Sequence, residues 1–256
     1  MSSSSLHSKE QSLDTDHEPI NQIQTAGDGD EFVIIGNTKY YRHELMQAFG
    51  GTLNPGLSPP PVHQFANPAP LGLCAFGLTT LVLSMVNARA MGISIPHAVL
   101  GLAAFYGGAV QFLAGVWEMA IGNTFGATAL TSYGAFWLSY AAILIPSFGV
   151  EAAYKDAPQQ KIDAISFFLL GWTIFTFMMT LLTLKSTIFF CALFSCLFIT
   201  FLLLCLGDFT QTLAITRAGG VVGVITAFLG FYNAYAGTST PQNSYFGAKV
   251  FHLTKA

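Results

Sequence analysis

Polar side chains recur at helical spacing within several long apolar segments, and these are the residues of the sequence that could do chemistry. The first such segment carries a stripe at intervals of four, four and three residues: Phe76, Thr80, Ser84 and Asn87. This spacing places the four side chains on one face of a helix. Uncharged hydroxyl and amide groups on such a face can replace the water around a small polar solute. They can equally bond to neighbouring helices or to carbonyl groups of their own helix.

The second segment contains Glu118, the only acidic residue between Glu44 and Glu151. Two edges with a seven-residue repeat run along this segment: a polar edge of His97, Ala104, Gln111 and Glu118, and a glycine edge of Gly101, Gly108 and Gly115. An ionisable group at membrane depth is a functional candidate, so Glu118 could relay a proton or supply an entrance charge. Its alternative role is to anchor a helix end at the membrane interface. The glycine edge favours close packing of helices, or it keeps a conduit wide.

The third segment has two opposed stripes, and periodicity does not say which of them faces a pathway. One is hydroxylic and the other aromatic: Thr124, Thr128, Thr131, Ser132 and Ser139 against Tyr133, Trp137 and Tyr140. Asn123 or Thr124 can cap the start of this helix or belong to a site. The fifth segment is almost wholly apolar, with Leu197 near its middle, which indicates a wall that faces lipid.

The elements that carry these residues must lie in a membrane. The chain has 256 residues, of which 52% are hydrophobic and 9% charged, and so few charges cannot cover a soluble globule of this size. Since about 20 apolar residues cross a bilayer, the sequence predicts an all-α membrane protein with six transmembrane helices. We place them near residues 71–88, 97–117, 124–145, 164–183, 188–206 and 218–236. The net charge of −3 gives no basic surface for nucleic acid.

Outside the spans the sequence predicts tails. Seven of the 13 acidic residues fall in the first 31 positions, with Lys9 as the sole base, so we expect residues 1–35 to be a disordered acidic cytosolic tail. Residues 36–70 are a proline-rich pre-membrane segment, 71–237 the transmembrane domain and 238–256 a C-terminal tail. Lysine and arginine are more frequent on the side of the two termini, by six to four, which favours both termini in the cytosol.

No arrangement for catalysis or metal binding stands out. The sequence has no CxxC, no HExxH and no phosphate-binding glycine loop. Its four cysteines all lie in apolar runs, where thiols pack as small hydrophobic groups. An intramembrane enzyme would need a denser cluster of catalytic groups. We therefore expect no enzyme, no cofactor and no metal.

Five motifs together resemble one family of membrane proteins. They are NPAPLGL at 67–73, FGLTT at 76–80, FYGGAVQFLAGVWE at 105–118, GNTFGATALTSYGAFWLS at 122–139 and TLK at 183–185. On these motifs the chain is similar to the acetate uptake transporter family, which includes the bacterial succinate–acetate permease and the fungal acetate permeases and ammonia exporters. The long acidic tail and the GFYNAYAG stretch resemble the fungal branch.

The resemblance implies a plasma-membrane transporter or channel for acetate and similar small monocarboxylates, assembled as a homohexamer with one pathway in each protomer. It implies a hydrophobic constriction at Phe76, Tyr133 and Leu197, which favours the aromatic stripe of the third segment as the one that faces the pathway. The polar groups that it implies near substrate or at helix ends are Asn67, Thr80, Tyr106, Gln111, Asn123, Thr124 and Glu118.

Small carboxylic acids titrate at about pH 4 to 5 and are therefore anions at neutral pH, which cannot cross hydrocarbon without help. We expect hydroxyl and amide donors to replace water around the carboxylate, and the constriction to select for a short apolar tail. A proton relay through Glu118 stays open. The alternatives are export of ammonia or ammonium along the same path, and a membrane sensor of acetic acid, which the serine-rich and threonine-rich tail suggests.

Overall fold

The computed structural model of the protein describes residues 24–27, 29–48 and 65–254. They fall into two compact units, which divide at Phe65 and which we describe separately. The predictions for residues 1–23, for the proline-rich stretch 49–64 and for the last two residues lie outside the described residues.

The N-terminal unit is a small antiparallel sheet followed by a short helix. Its strands are β1 Gln24–Ala26, β2 Phe32–Ile35 and β3 Thr38–Tyr41, in the order β1-β2-β3, and the helix is α1 Arg42–Ala48. The β2–β3 hairpin turns on Gly36 and Asn37, and Gly36 has a φ of 62°, the left-handed conformation that tight hairpins require.

The prediction of disorder over residues 1–35 is therefore wrong for the described part, 24–27 and 29–35. Its cause is local. The stretch from Phe32 to Tyr41 consists largely of β-branched and aromatic residues, which favour strands. The acidic composition of the preceding 31 residues concealed this signal.

The unit from Phe65 onward contains six long helices. They are α2 Ala69–Asn87, α3 Pro96–Ala120, α4 Thr124–Leu144, α6 Pro158–Leu181, α7 Ile188–Phe209 and α8 Leu213–Thr238, with a short α5 Val150–Ala153 between α4 and α6. The connections are short, so consecutive long helices run in opposite directions. We call the end of the bundle where α2 begins the near end, and the opposite end the far end. Helices α2, α4 and α7 all run from near to far.

The prediction of a helical membrane protein is confirmed, while the number of spans stays a prediction. Among the described residues, five helices are long and apolar enough to cross a membrane. Helix α4 is not among them, although it has 21 residues. Hydroxyl side chains along its whole length lower its hydropathy, and much of its surface is buried inside the bundle.

Several helices begin at capping residues or prolines that can be recognised in the sequence. The side-chain oxygen of Asn123 accepts a hydrogen bond from the Gly126 N–H at 3.1 Å and caps α4, as predicted. Thr187 caps α7 in the same way, through the Phe190 N–H at 3.3 Å. Proline stands in the first turn of α2 and of α3, where its missing N–H costs nothing.

Helix α3 departs from regular α geometry over Leu102–Val110, which winds as a π-helix. A π-helix has more residues per turn than an α-helix, so a seven-residue repeat does not stay on one face through it. The predicted polar edge is broken accordingly: His97 is exposed, while Gln111 and Glu118 are fully buried.

Close helix contacts centre on glycines. A Cβ on Gly134 of α4 would lie 2.6 Å from the Phe112 backbone nitrogen of α3, and one on Gly77 would lie 3.2 Å from the Ala227 carbonyl oxygen of α8. Most of the predicted glycine edge serves the same purpose, because Gly108 and Gly115 abut α4. Packing is therefore the role of these glycines inside one protomer.

The C-terminal segment folds back along the near end. The Ile188 N–H donates to the Phe251 carbonyl at 2.8 Å, and the Leu253 N–H donates to the Ser186 carbonyl at 2.9 Å. The Tyr232 hydroxyl also donates to the Lys249 carbonyl at 2.6 Å. The predicted tail is thus tied to the connection between α6 and α7.

Candidate functional site

The bundle encloses a cavity of about 240 Å³ between α2, α4, α6 and α7. At its inner end lie Phe76, Tyr133 and Leu197, one from each of the helices that run from near to far. At its outer end lie polar residues of the far end, so the cavity leads from the middle of the bundle toward one side of the membrane.

The three parallel helices line the cavity with the same spacing. The lining residues are Phe76, Thr80, Leu83, Ser84 and Asn87 on α2; Tyr133, Phe136, Trp137, Tyr140, Ile143 and Leu144 on α4; and Leu197, Thr200, Phe201, Leu204 and Asp208 on α7. In each helix they stand three or four, seven or eight, and ten or eleven residues beyond the first. At a rise of about 1.5 Å per residue, eleven residues span about 16 Å, which is the depth of the cavity.

The three innermost residues form the narrow part, which we call the neck. Their side chains are 5%, 3% and 4% exposed for Phe76, Tyr133 and Leu197, and the rings of Phe76 and Tyr133 lie 6.2 Å apart. Gly230 of α8 backs the Phe76 ring, since a Cβ there would lie 3.2 Å from the ring. The Tyr133 hydroxyl donates to Thr176 Oγ1 on α6 at 3.0 Å, which links the neck to α6.

Beyond the neck the wall is aromatic, with two hydrogen-bonding groups left free. The Phe136 ring packs against Trp137, Phe168 and Phe201 at centroid distances of 5.0, 5.6 and 5.1 Å. Within the described residues, the Thr80 hydroxyl and the Trp137 indole N–H are buried without a hydrogen-bond partner. Both residues line the cavity.

The outer end of the cavity, its mouth, carries the charges. Lys161 Nζ of α6 forms an ion pair with Glu151 Oε2 of α5 at 2.6 Å. Asp208 lines the same mouth and has no ion-pair partner within residues 65–254. The charges at the mouth therefore sum to about −1 when all three groups are ionised, and they lie at the rim while the neck is apolar.

Of the site residues expected from the sequence, four line this cavity: Phe76, Thr80, Tyr133 and Leu197. The other six lie outside it. Tyr106, Gln111 and Glu118 belong to α3, which packs against α2 and α4 outside the cavity. Asn67, Asn123 and Thr124 stand at helix starts of the near end. Their role in a pathway stays a prediction.

The six residues outside the cavity differ in their surroundings. The Asn67 side chain is exposed and its oxygen accepts from the Ala69 N–H at 3.1 Å. Thr124 is exposed, and Asn123 caps α4. Glu118 is fully buried and its carboxylate has no hydrogen-bond partner among the described residues. The buried amide of Gln111 is in the same situation. These two remain the unexplained polar groups of α3.

Sequence reasoning missed several lining residues. Trp137 and Tyr140 belong to the aromatic stripe that the resemblance places toward the pathway, but only Tyr133 of that stripe is among the predicted site residues. Asp208 and Lys161 were not singled out, although Asp208 is the only charged residue of α7, a signal that a search for isolated charges in apolar helices would find. No group of three or more potential metal ligands occurs among the described residues.

A helical membrane protein with a narrow cavity, an apolar neck and a charged mouth belongs to the class of transporters and channels. The family model described as GPR1/FUN34/yaaH family matches residues 49–255, and the chain belongs to this family.

Several of the similar proteins carry transport names. Ammonia transport outward protein 2 of Saccharomyces cerevisiae is 58% identical over 92% of this chain and 84% of its own length. Acetate permease A of Emericella nidulans is 45% identical over 85% of this chain and 76% of its own length. The solved structure of the bacterial acetate channel SatP aligns with a TM-score of 0.62 and 38% identity, and the match covers 68% of this chain and 92% of that one.

Proposed function

We propose that this chain carries acetate and similar small monocarboxylates across a membrane, through the cavity of each protomer and past the neck. The observation that carries the proposal is the meeting of Phe76, Tyr133 and Leu197 at the inner end of one cavity. An apolar neck of this size accommodates a short alkyl tail and rejects bulkier or strongly hydrated solutes. The names of the acetate permease and the acetate channel among the similar proteins support the same substrate class.

The experiment is uptake of radiolabelled acetate and of a bulkier monocarboxylate, such as benzoate, by the purified protein in liposomes. Alanine at Phe76 or Tyr133 removes a ring from the neck, so each variant should raise the flux of the bulkier acid relative to acetate. Phe167→Ala is the matched control, since the Phe167 ring is 64% exposed on α6 and does not line the cavity. Unchanged selectivity in both neck variants would remove the neck from the proposal.

Outward transport of ammonia or ammonium is the second candidate. It is favoured by the similarity to Ammonia transport outward protein 2 and by a neck without formal charge. Stopped-flow measurement of acetate and ammonium fluxes in the same liposomes separates the two. Flux of ammonium with no flux of acetate would replace the first candidate by the second.

Several finer features belong to the proposal. The residues carried over from the family resemblance supply near-end groups for substrate, and the buried Glu118 carboxylate is a candidate proton relay. Plasma-membrane location and cytosolic termini follow from the resemblance and from the distribution of lysine and arginine. The proposed homohexamer rests on the resemblance alone. The glycine edges do not add support for it, because they form contacts within the protomer. Crosslinking and protease protection in intact cells would test these features.

A further inference from the structure

We propose that the C-terminal segment is a lid on the near-end opening of the bundle, and that release of this lid raises the flux of solute. The lid consists of residues 244–253, which follow α8 and lie along the near end. The inference rests on the proposed transport, because a lid has a role only in a bundle that conducts. It concerns the regulation of transport and leaves the binding of substrate to other residues.

A second cavity, of about 330 Å³, opens at the near end. Its wall includes Leu73 of α2, Phe190 of α7 and Asn233 of α8. Leu73 precedes the neck residue Phe76 by three positions, and Phe190 precedes the neck residue Leu197 by seven. At a rise of about 1.5 Å per residue, they lie about 5 and 10 Å closer to the near end than the neck does. This near-end cavity therefore lies on the opposite side of the neck from the cavity with the charged mouth.

Val250 of the lid forms part of the wall of the near-end cavity. The other lining residues belong to α2, α7 and α8 or to the connection before α7. A residue of a transmembrane helix moves only with that helix, whereas Val250 leaves the wall when the C-terminal segment alone moves. The lid is thus the part of the near-end opening that can change while the helices keep their packing.

The lid is positioned mainly through its backbone. Two backbone hydrogen bonds of 2.8 and 2.9 Å flank an antiparallel bridge between Thr187 and His252, which joins the lid to the start of α7. The Tyr232 hydroxyl of α8 donates to the Lys249 carbonyl at 2.6 Å. These contacts hold Val250 between two tethered points of the lid.

The lid buries little apolar surface and is therefore easily released. Val250, Phe251 and Leu253 are 52%, 49% and 44% exposed. Burial of apolar surface is the main source of stability, and segments with few buried contacts open locally at a small fraction of the free energy of global unfolding. Opening of the lid hence requires only the loss of a few hydrogen bonds at the surface.

The position of the lid predicts which property of transport it controls. A closed lid narrows the approach to the neck from the near end, so release of the lid should raise the rate. The neck residues Phe76, Tyr133 and Leu197 make no hydrogen bond to the lid within the described residues. The selectivity between acetate and a bulkier acid should therefore stay unchanged when the lid is released.

The first test releases the lid in the full-length protein in liposomes. Tyr232→Phe removes the hydrogen bond to the Lys249 carbonyl and keeps the ring, which packs against Phe189 at a centroid distance of 4.3 Å. The loss of one hydrogen bond shifts the equilibrium between open and closed lid about fivefold, so acetate flux should rise by up to that factor. The ratio of acetate flux to benzoate flux should stay that of wild type. Tyr245→Phe is the matched control, because the Tyr245 side chain is exposed on the same segment, and it should leave the flux unchanged.

The second test locks the lid with a disulfide. Thr187 and His252 face each other between the two hydrogen bonds, and such pairs have Cα atoms about 4.5 Å apart, which suits a disulfide. In the double variant Thr187→Cys, His252→Cys, oxidation should lower acetate flux at least about fivefold, and reduction should restore it. The two single variants under the same treatment are the controls. Equal flux in the oxidised and reduced double variant, or failure of the disulfide to form, would overturn the lid.

Hydrogen exchange separates failure of the lid from failure of the proposed function. Wild-type protein that moves no acetate would refute the transport proposal. The amide hydrogens of Ile188 and Leu253, which bond across the bridge, report on the lid in either case. Tyr232→Phe should speed their exchange about fivefold, while amides in the middle of α7 stay protected. Unchanged exchange, or a rise in flux accompanied by altered selectivity, would count against the lid.

Discussion

The hydrogen bond from the Tyr133 hydroxyl to Thr176 Oγ1 allows a quantitative prediction about the neck. The two oxygens lie 3.0 Å apart, Tyr133 is 3% exposed and Thr176 is fully buried. Hydrogen bonds between membrane helices contribute about 0.6 kcal/mol on average and about 1.7 kcal/mol at most. Full burial of both partners places this bond toward the upper end, so a double-mutant cycle of Tyr133→Phe and Thr176→Val should give a coupling free energy of about 1 kcal/mol.

The two single variants should lower the free energy of unfolding by different amounts, and which of the two losses is larger tests the reasoning. In Tyr133→Phe the Thr176 hydroxyl can turn to a carbonyl of its own helix, as Thr173 and Thr180 do at 2.8 and 2.7 Å. In Thr176→Val the Tyr133 hydroxyl has no other partner within the described residues. We therefore expect Thr176→Val to lower the free energy of unfolding by about 2 kcal/mol and Tyr133→Phe by about 1 kcal/mol.

The assay is reversible unfolding of the purified protein in mixed micelles by titration with sodium dodecyl sulfate. Because Tyr133→Phe retains the ring, its ratio of acetate flux to benzoate flux should stay that of wild type, whereas Tyr133→Ala should change it. Strictly additive effects in the cycle, or a larger loss in Tyr133→Phe than in Thr176→Val, would refute the reasoning.

Three further predictions concern the mouth, the helix contacts and the buried carboxylate. Asp208→Asn removes a negative charge, which at about 8 Å in water repels an anion by about 0.5 kcal/mol; acetate influx from the far end of the bundle should roughly double at low ionic strength and match wild type in about 0.5 M salt. Equal rates at low salt would contradict this. Gly134→Ala should destabilise the protein by about 2 kcal/mol or more, since its Cβ would meet the Phe112 backbone. Gly171→Ala, with nothing within 4 Å, should be neutral or stabilising by up to about 1 kcal/mol, and similar unfolding curves for the two would argue against glycine packing. Glu118→Gln should abolish the dependence of acetate uptake on an imposed pH gradient while it preserves exchange at equal pH, and retained dependence would exclude Glu118 as the relay.

Much of the transmembrane unit follows from the sequence because its signals are local. Apolar length predicts the helices, and prolines or a capping asparagine mark their starts. The spacing of Phe76, Thr80, Ser84 and Asn87 places them on one face, and all four line the cavity. Spacing alone did not identify the corresponding face of α4, where the family resemblance favoured the aromatic stripe.

Other features depend on contacts that a single sequence does not contain. The prediction of a polar edge on α3 required a regular α-helix, and the π-helical segment Leu102–Val110 breaks that regularity. The far-end mouth joins Glu151, Lys161 and Asp208 from three separate helices, whose proximity is a property of the folded chain. The strands that end at Tyr41 were not predicted, because the acidic composition of the N-terminal region is averaged over a window longer than a strand.

The glycine contacts between α2 and α8 bear on how the neck can widen. Gly77 and Gly230 bring the two backbones together beside Phe76, where a Cβ on Gly230 would lie 3.6 Å from the Gly77 Cα, and Gly223 receives Ser84 about two helical turns further along α2. Because the two helices pack in direct backbone contact, α2 cannot move away from α8 without losing these glycine contacts along its length. A change in the width of the neck would then come from side-chain rotation of Phe76, Tyr133 or Leu197, a motion much faster than the rocking of whole helices.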